Sequence, residues 1–210
     1  LAEGVRGGAA PVKFVLASNN KGKLVEMRAL LEQMGHEVVT QKEAGFSGEV
    51  EETGATFYEN ALLKARAVME ATRLPAIADD SGLMVEALGG RPGVYSKRYG
   101  GEGVSDEERN ALLLREMERE EHRSAQFVSS IVCAFPDGHI LSAEGVCRGE
   151  ILRSPRGTGG FGYDPVFLVE GTGKSMAELT LEEKNALSHR GQALRLFEKR
   201  LREYQQEKGD

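Results

Sequence analysis

Cysteine is nearly absent: Cys133 and Cys147 are the only two. Their spacing matches no zinc pattern and two thiols make no disulfide framework, so a reducing cytoplasm is the expected compartment. Long apolar runs are missing as well. The longest, IVCAF at residues 131–135, is strand-sized, well short of the ~18 residues of a membrane helix, and no membrane partner is expected. Positive charge is not in excess either: 27 Lys plus Arg stand against 33 Asp plus Glu, a net charge of −6. Such a surface does not draw in a phosphate polymer over long range, which disfavours a nucleic-acid partner. A small anionic substrate stays open, because a local basic pocket can oppose the global charge. Repeats and low-complexity tracts are absent, and apolar residues are spread along the whole chain, which argues against disorder.

What is present is an ordinary globular balance. The 210 residues are 40% hydrophobic and 29% charged, enough chain for about one to one and a half domains. Glycine is the outlier, with 26 residues, about 12% against a usual ~7%. The excess clusters at residues 89–93, 100–103 and 157–162, and such loops let backbone amides approach a ligand closely. Residues 1–11 contain Gly and Ala but no apolar stretch of the kind a signal peptide needs. They are read as a flexible leader, and 12–210 as one domain without a dividing linker.

Hydrophobic periodicity predicts strands at residues 12–18, 37–40, 76–79, 125–135, 139–148 and 166–169. It predicts helices at 22–34, 56–73, from 105 to about 119, and 189–203, with a short one after Thr180. Three S/T-x-x-E capping boxes mark helix starts, at Thr56 and Glu59, Ser105 and Glu108, and Thr180 and Glu183. Pro136, Asp137 and Gly138 read as a hairpin turn, and Asp80, Ser81 and Gly82 as a turn leading out of a short buried strand. Helices and strands alternate early and a hairpin follows, which gives an α/β fold with a mixed sheet.

Five segments can carry chemistry. Ser18, Asn19, Asn20, Lys21, Gly22 and Lys23 lie between a strand and a helix, where free amides and two lysines suit phosphate. This is not a P-loop, whose G-x-x-x-x-G-K-[ST] is absent, and a merely polar turn is the alternative. Glu51 and Glu52, with Asp79 and Asp80, offer carboxylates from two places, an arrangement for Mg²⁺ completed by substrate phosphate; the alternative is a turn cap and solvated glutamates. Asn60 and Lys64, one helical turn apart, flank the apolar stripe of their helix and can reach a cleft. Residues 157–162 match G-x-G-x-x-G formally, but no strand precedes and no helix follows, so a dinucleotide site is rejected. What remains is a pliable loop with Phe161 and Tyr163, either of which can stack on a base or pack in the core. Lys184, His189 and Arg190 offer donors for a carbonyl edge or a phosphate.

Taken together, the segments SNNKGK at 18–23, EETG at 51–54, ENALLKA at 59–65, PAIADDSGL at 75–83, GGRPGVYS at 89–96, GTGGFGYDP at 157–165 and SHRG at 188–191 resemble the inosine triphosphate pyrophosphatase (Ham1-like) family. The resemblance covers residue 14 to about 201. It implies an elongated mixed β-sheet flanked by helices, with an active-site cleft between two lobes, working as a homodimer. It implies Mg²⁺-dependent hydrolysis of the purine nucleoside triphosphates ITP, dITP and XTP to the monophosphate and pyrophosphate. Residues 18–23 and Lys64 would then bind the triphosphate. Glu51 and Asp80 would hold the metal, with Asp80 the proton acceptor. Ser81, Phe161, Gly162, Tyr163, Asp164, Lys184, His189 and Arg190 would contact the substrate. Two other readings share some of these features: a pyrophosphatase for pyrimidine or methylated nucleotides, and a nucleotide sensor without catalysis, against which the paired acids argue.

Overall fold

The protein is described by a computed structural model over residues 8–209. Most of the expected leader, residues 1–7, lies outside the described residues. At its end Ala9 and Ala10 donate their amides to Glu198 and Gln205, at 2.9 and 2.7 Å.

The chain order is β1 (Lys13–Leu16), α1 (Lys21–Gln33), β2 (Glu37–Thr40), α2 (Phe57–Thr72), β3 (Ala76–Val85), α3 (Asp106–Glu116), β4 (Ser124–Ala134), β5 (Ile140–Ile151), β6 (Phe167–Val169), α4 (Leu181–Leu187) and α5 (His189–Gly209). The six strands form one sheet in the order β2-β1-β3-β4-β5-β6. β1 runs parallel to β2 and β3, and the remaining pairs are antiparallel. This is the mixed sheet flanked by helices that the sequence predicts. Among the described residues no helix is long and apolar enough to cross a membrane.

The long strands β3, β4 and β5 pass through more than one apolar cluster. At one end, Phe14, Leu16, Ile77, Ile131 and Cys133 pack under α1 and α5, while Val15, Ala78 and Val132 pack under α2 on the opposite face. At the other end Leu83, Val85, Phe127 and Cys147 pack with Leu113 of α3 and with Met117, the residue that caps its end. Each fully buried side chain of this size is worth roughly 1.5–3 kcal/mol, so two apolar lobes hold the sheet at its ends, an inner one under α1, α2 and α5 and an outer one under α3. Between them the strands change character: Asp79, Asp80 and Ser81 of β3 sit beside Ser129 and Ser130 of β4. A polar belt therefore crosses the sheet where one apolar lobe gives way to the other.

Two local expectations are corrected. Asp80, Ser81 and Gly82 do not form a turn, because β3 pairs without a break against β4 from Ala76 to Val85. Gly82 is needed for close approach instead: a Cβ there would stand 2.4 Å from the Gly93 carbonyl oxygen, a use of strand glycine distinct from turning. At α2 only half the capping box forms. Thr56 accepts from the Glu59 amide, but the Glu59 carboxylate takes the Ala55 amide, at 2.6 Å. The boxes at Ser105 and Thr180 are complete.

Candidate active site

β1 pairs with β3 only through Val15 and Leu16. Beyond Ile77 the β3 edge is left open by its short neighbour. The chain leaving β1 turns there into α1, so the end of a parallel strand, a helix N-terminus and the polar belt meet, the usual place for a ligand in an open α/β sheet.

The turn is built by its own side chains. Asn20 caps α1 by accepting the Lys23 amide at 3.0 Å, and Ser18 accepts the Asn20 amide at 3.1 Å. Gln41, buried at the end of β2, donates to Asn19 Oδ1 at 2.9 Å, which fixes which end of that amide is engaged. No acidic residue sits in the first turn of α1, so the positive end of the helix dipole is uncompensated and favours an anion. Lys23 reaches back to Asp79 at 2.8 Å, while Lys21 remains exposed.

Because side chains alternate along a strand, Asp79 and Asp80 point to opposite faces of the sheet. Asp79 is fully buried and receives Lys23, Arg190 at 3.2 Å, the Ser81 hydroxyl at 3.0 Å and the Ser129 hydroxyl. Burial alone would raise its pKa, but Arg190 and Lys23 outweigh burial and hold the carboxyl well below the usual range. Asp80 faces Lys64 of α2 at 3.8 Å. Burial pushes its carboxyl up to about 6 against the pull of Lys64 and Lys23, and its Oδ2 is buried without a partner. Lys64 also binds Glu52 and the Asp79 carbonyl, both at 2.7 Å. Glu52 is thus the glutamate turned inward, whereas Glu51 is exposed. Asn60 does not reach the belt: it accepts the Gly54 amide at 2.7 Å and shapes the loop that carries both glutamates.

On the Asp79 face lies a buried charge cluster. Glu26 of α1 contacts both Lys184 and Arg190, and Lys184 also binds Asp164 at 2.6 Å. Three acids, Glu26, Asp79 and Asp164, are met there by Lys23, Lys184 and Arg190, the pairing that buried ions require. Burial still raises the Asp164 carboxyl and lowers the Lys23 ammonium. Arg190 donates to Ser81 at 2.9 Å. His189 stacks on Phe127 at 4.8 Å, and burial together with Arg190 holds it well below its usual pKa, hence neutral.

Phe161 closes one side. Its ring lies beside Lys184, 4.6 Å from ammonium to ring centre, and so close to Gly22 that a Cβ there would be 2.3 Å from the ring. Gly162 adopts a φ of 61°, which glycine takes without strain. Tyr163 turns away: its ring is in the α3 lobe and its hydroxyl donates to the Ser96 carbonyl at 2.6 Å.

The fold thus gathers Ser18, Asn20, Lys23, Lys64, Asp80, Ser81, Phe161, Asp164, Lys184, His189 and Arg190 around the belt and leaves Glu51 and Lys21 exposed. Sequence reasoning missed Glu26 and Ser129. The signal for Glu26 was its place beside Met27 and Leu30 on the buried side of α1. A separate cavity of about 850 Å³, lined by Met84, Gln126, Arg148 and Leu168, holds none of these residues.

The chain and its fold are similar to known proteins. The sequence model described as Ham1 family matches residues 14–200. A dITP/XTP pyrophosphatase of Thermus thermophilus is 54% identical over 186 residues, 88% of this chain and 89% of that protein. One of Geobacter sulfurreducens is 51% identical over 191 residues, covering 90% and 96%. Among solved structures, a HAM1 protein from Coxiella burnetii superposes with a TM-score of 0.82 at 45% identity, covering 91% of this chain and 99% of that one. The Staphylococcus aureus Ham1 protein gives 0.80 at 42%, covering 90% and 97%.

Proposed function

The chain belongs to the Ham1 family, and from that premise we propose that it is a nucleoside-triphosphate pyrophosphatase hydrolysing the non-standard purine nucleotides dITP, XTP and ITP to the monophosphate and pyrophosphate. The observation that carries the reading is Asp80. Its Oδ2 is buried and unpartnered, it stands beside Lys64, and its pKa is lifted to about 6. Such a group is ionised at neutral pH and is a stronger base than a solvated carboxylate, as a proton acceptor for water needs to be.

The residues then divide the work. The amides at the start of α1, with Lys23 and Lys64, hold and neutralise the triphosphate, which phosphoryl chemistry needs more than covalent help. Asp80 accepts the proton of a water attacking the α-phosphorus, and pyrophosphate leaves. On the base side, the Arg190 Nε and the His189 Nδ1 are buried and unpartnered. Arg190 and Lys184 donate, so a 6-oxo purine is matched there, while the 6-amino group of adenine sets donor against donor.

The donor set also fits a magnesium ion. Among the described residues no group of three or more His, Cys, Asp or Glu is placed to hold a metal. Mg²⁺ is commonly held by one or two carboxylates, with substrate phosphates and waters completing the shell, and Asp80 has a free buried oxygen. Asp80 and Glu51 would hold Mg²⁺, which would supply charge neutralisation at the phosphates and a more acidic water. We read residues 12–210 as one catalytic unit acting as a homodimer in the cytoplasm. One sheet running through both lobes supports the single unit, and two buried free cysteines fit a reducing compartment. Light scattering on the purified chain tests the dimer.

Incubation with Mg²⁺ and, separately, ITP, XTP, dITP, GTP and ATP tests the function, with pyrophosphate and orthophosphate quantified and Asp80→Asn as control. Pyrophosphate from the first three, lost in the control, is the expected result. Orthophosphate as the product, or no turnover of any of the five, overturns it.

A further inference from the structure

We propose that Asp106 and Asn110 of α3, which touch none of the phosphate-binding turn, are positioning residues for the nucleotide: they grip the backbone of Gly162 and so set where the Phe161 ring stands. The inference rests on the nucleotide reading of the cleft given above. Asp106 and Asn110 are four residues apart and share one face of their helix. Asp106 Oδ2 accepts the Gly162 amide at 2.9 Å, and Asn110 Nδ2 donates to the Gly162 carbonyl at 3.0 Å. An acceptor meets the donor and a donor meets the acceptor on both sides of one residue. Asn110 is buried, so its bond is sheltered, and its loss leaves a carbonyl without a partner.

The grip matters because of what is attached. Phe161 and Asp164 flank a tight turn, closed by the Asp164 amide to the Phe161 carbonyl at 3.2 Å, with Gly162 at its first corner. From the far side Asp164 accepts the Phe161 amide at 3.1 Å and holds Lys184. α3 itself is rooted in the outer apolar lobe through Leu113 and Met117. The Phe161 ring, in contrast, rests on Gly22 of α1, whose helix is rooted in the inner lobe through Met27 and Leu31. The Gly162 grip is therefore a tie by which the outer lobe fixes an aromatic ring against the inner one, at the edge of the cleft.

Two measurements on the intact protein test this. In nucleotide-free protein, hydrogen exchange of the segment 157–164 is expected to quicken by about ten-fold in Asn110→Ala, the scale of one buried hydrogen bond. With ITP, KM is expected to rise by a similar factor while kcat stays within about two-fold. The KM increase should vanish when Asn110→Ala is made in a Phe161→Ala background, because the ring it positions is gone. Should Asn110→Ala not fold, Asp106→Ala serves, and Asp106→Asn, which keeps one oxygen acceptor for Gly162 while losing the Arg109 pair, should bring KM back toward the wild-type value. Unchanged exchange, unchanged KM, or effects that multiply in the double variant each overturn the proposal. Wild-type protein inert toward ITP sinks the underlying nucleotide reading instead, and the exchange arm separates the two failures because it uses no nucleotide.

Discussion

Lys23 on α1 and Asp79 on β3 meet at 2.8 Å with the Asp79 carboxylate wholly buried, and this pair ties the turn at residues 18–23 to the sheet. Asp79 also answers Arg190. Asp79→Asn leaves two cations facing a neutral amide, and stranding a buried charge costs about 3–5 kcal/mol. The expected outcome is a lower urea midpoint at pH 7 together with reduced ITP turnover. Because the native carboxyl is held below its ordinary value, its contribution is complete above about pH 4 and is lost as the pH falls toward the native value. The gap between wild type and variant should therefore close on acidification.

Asp80 behaves in the opposite sense. A carboxyl raised from 3.8 to about 6 binds its proton more tightly in the folded than in the unfolded protein. Stability then falls as the pH rises from about 4 through 6 and is level above. At 1.36 kcal/mol per unit the native protein forfeits roughly 3 kcal/mol. Asp80→Asn should consequently be more stable than wild type at pH 8, by about 1–3 kcal/mol, and nearly equal at pH 4, in buffer without divalent cations. It should release no pyrophosphate. Equal denaturant midpoints at both pH values would contradict the assignment.

The order of strands and helices was legible because each apolar period is local. The polar belt was legible only in part. Asp-Ser-Gly is turn chemistry, and what overrides it is ten paired positions on β4, a partner some fifty residues away in the chain. Lys184, His189 and Arg190 drew attention as donors near a helix start. Their pairing with buried counter-ions was not visible, since Arg190 and Asp79 are separated by 111 residues. Glu26 lies on the buried side of α1, but nothing near it in the chain shows the two cations it serves, which arrive from the far end.

On the proposed reading the two adjacent glutamates have different partners, Glu51 the metal and Glu52 the lysine. Glu52 binds Lys64 at 2.7 Å, and Lys64 holds its carboxyl down against the effect of burial. Glu51 is exposed and makes no ion pair among the described residues. Glu51→Gln is therefore expected to raise the Mg²⁺ concentration for half-maximal activity by about ten-fold with an unchanged melting temperature. Glu52→Gln should lower kcat/KM even at saturating Mg²⁺, because Lys64 loses its partner. A titration of activity against Mg²⁺ for both variants decides between them, and the reverse pattern would move the metal to Glu52.

Gly22 offers a test in which propensity and packing oppose each other. Alanine is favoured over glycine in a helix by about 0.8–1 kcal/mol, so on helical grounds alone Gly22→Ala should leave α1 firmer and the enzyme intact. The structure argues otherwise. The new methyl would lie 2.3 Å from the Phe161 ring, and the ring has to move out of the cleft edge. The expected result is a KM for ITP raised by about ten-fold or more, with a melting temperature at or slightly above that of wild type. Removing the ring removes the clash, so Gly22→Ala should have little further effect on KM in a Phe161→Ala protein. A Gly22→Ala enzyme with wild-type KM would mean that the ring does not need to rest against α1 for the nucleotide to bind.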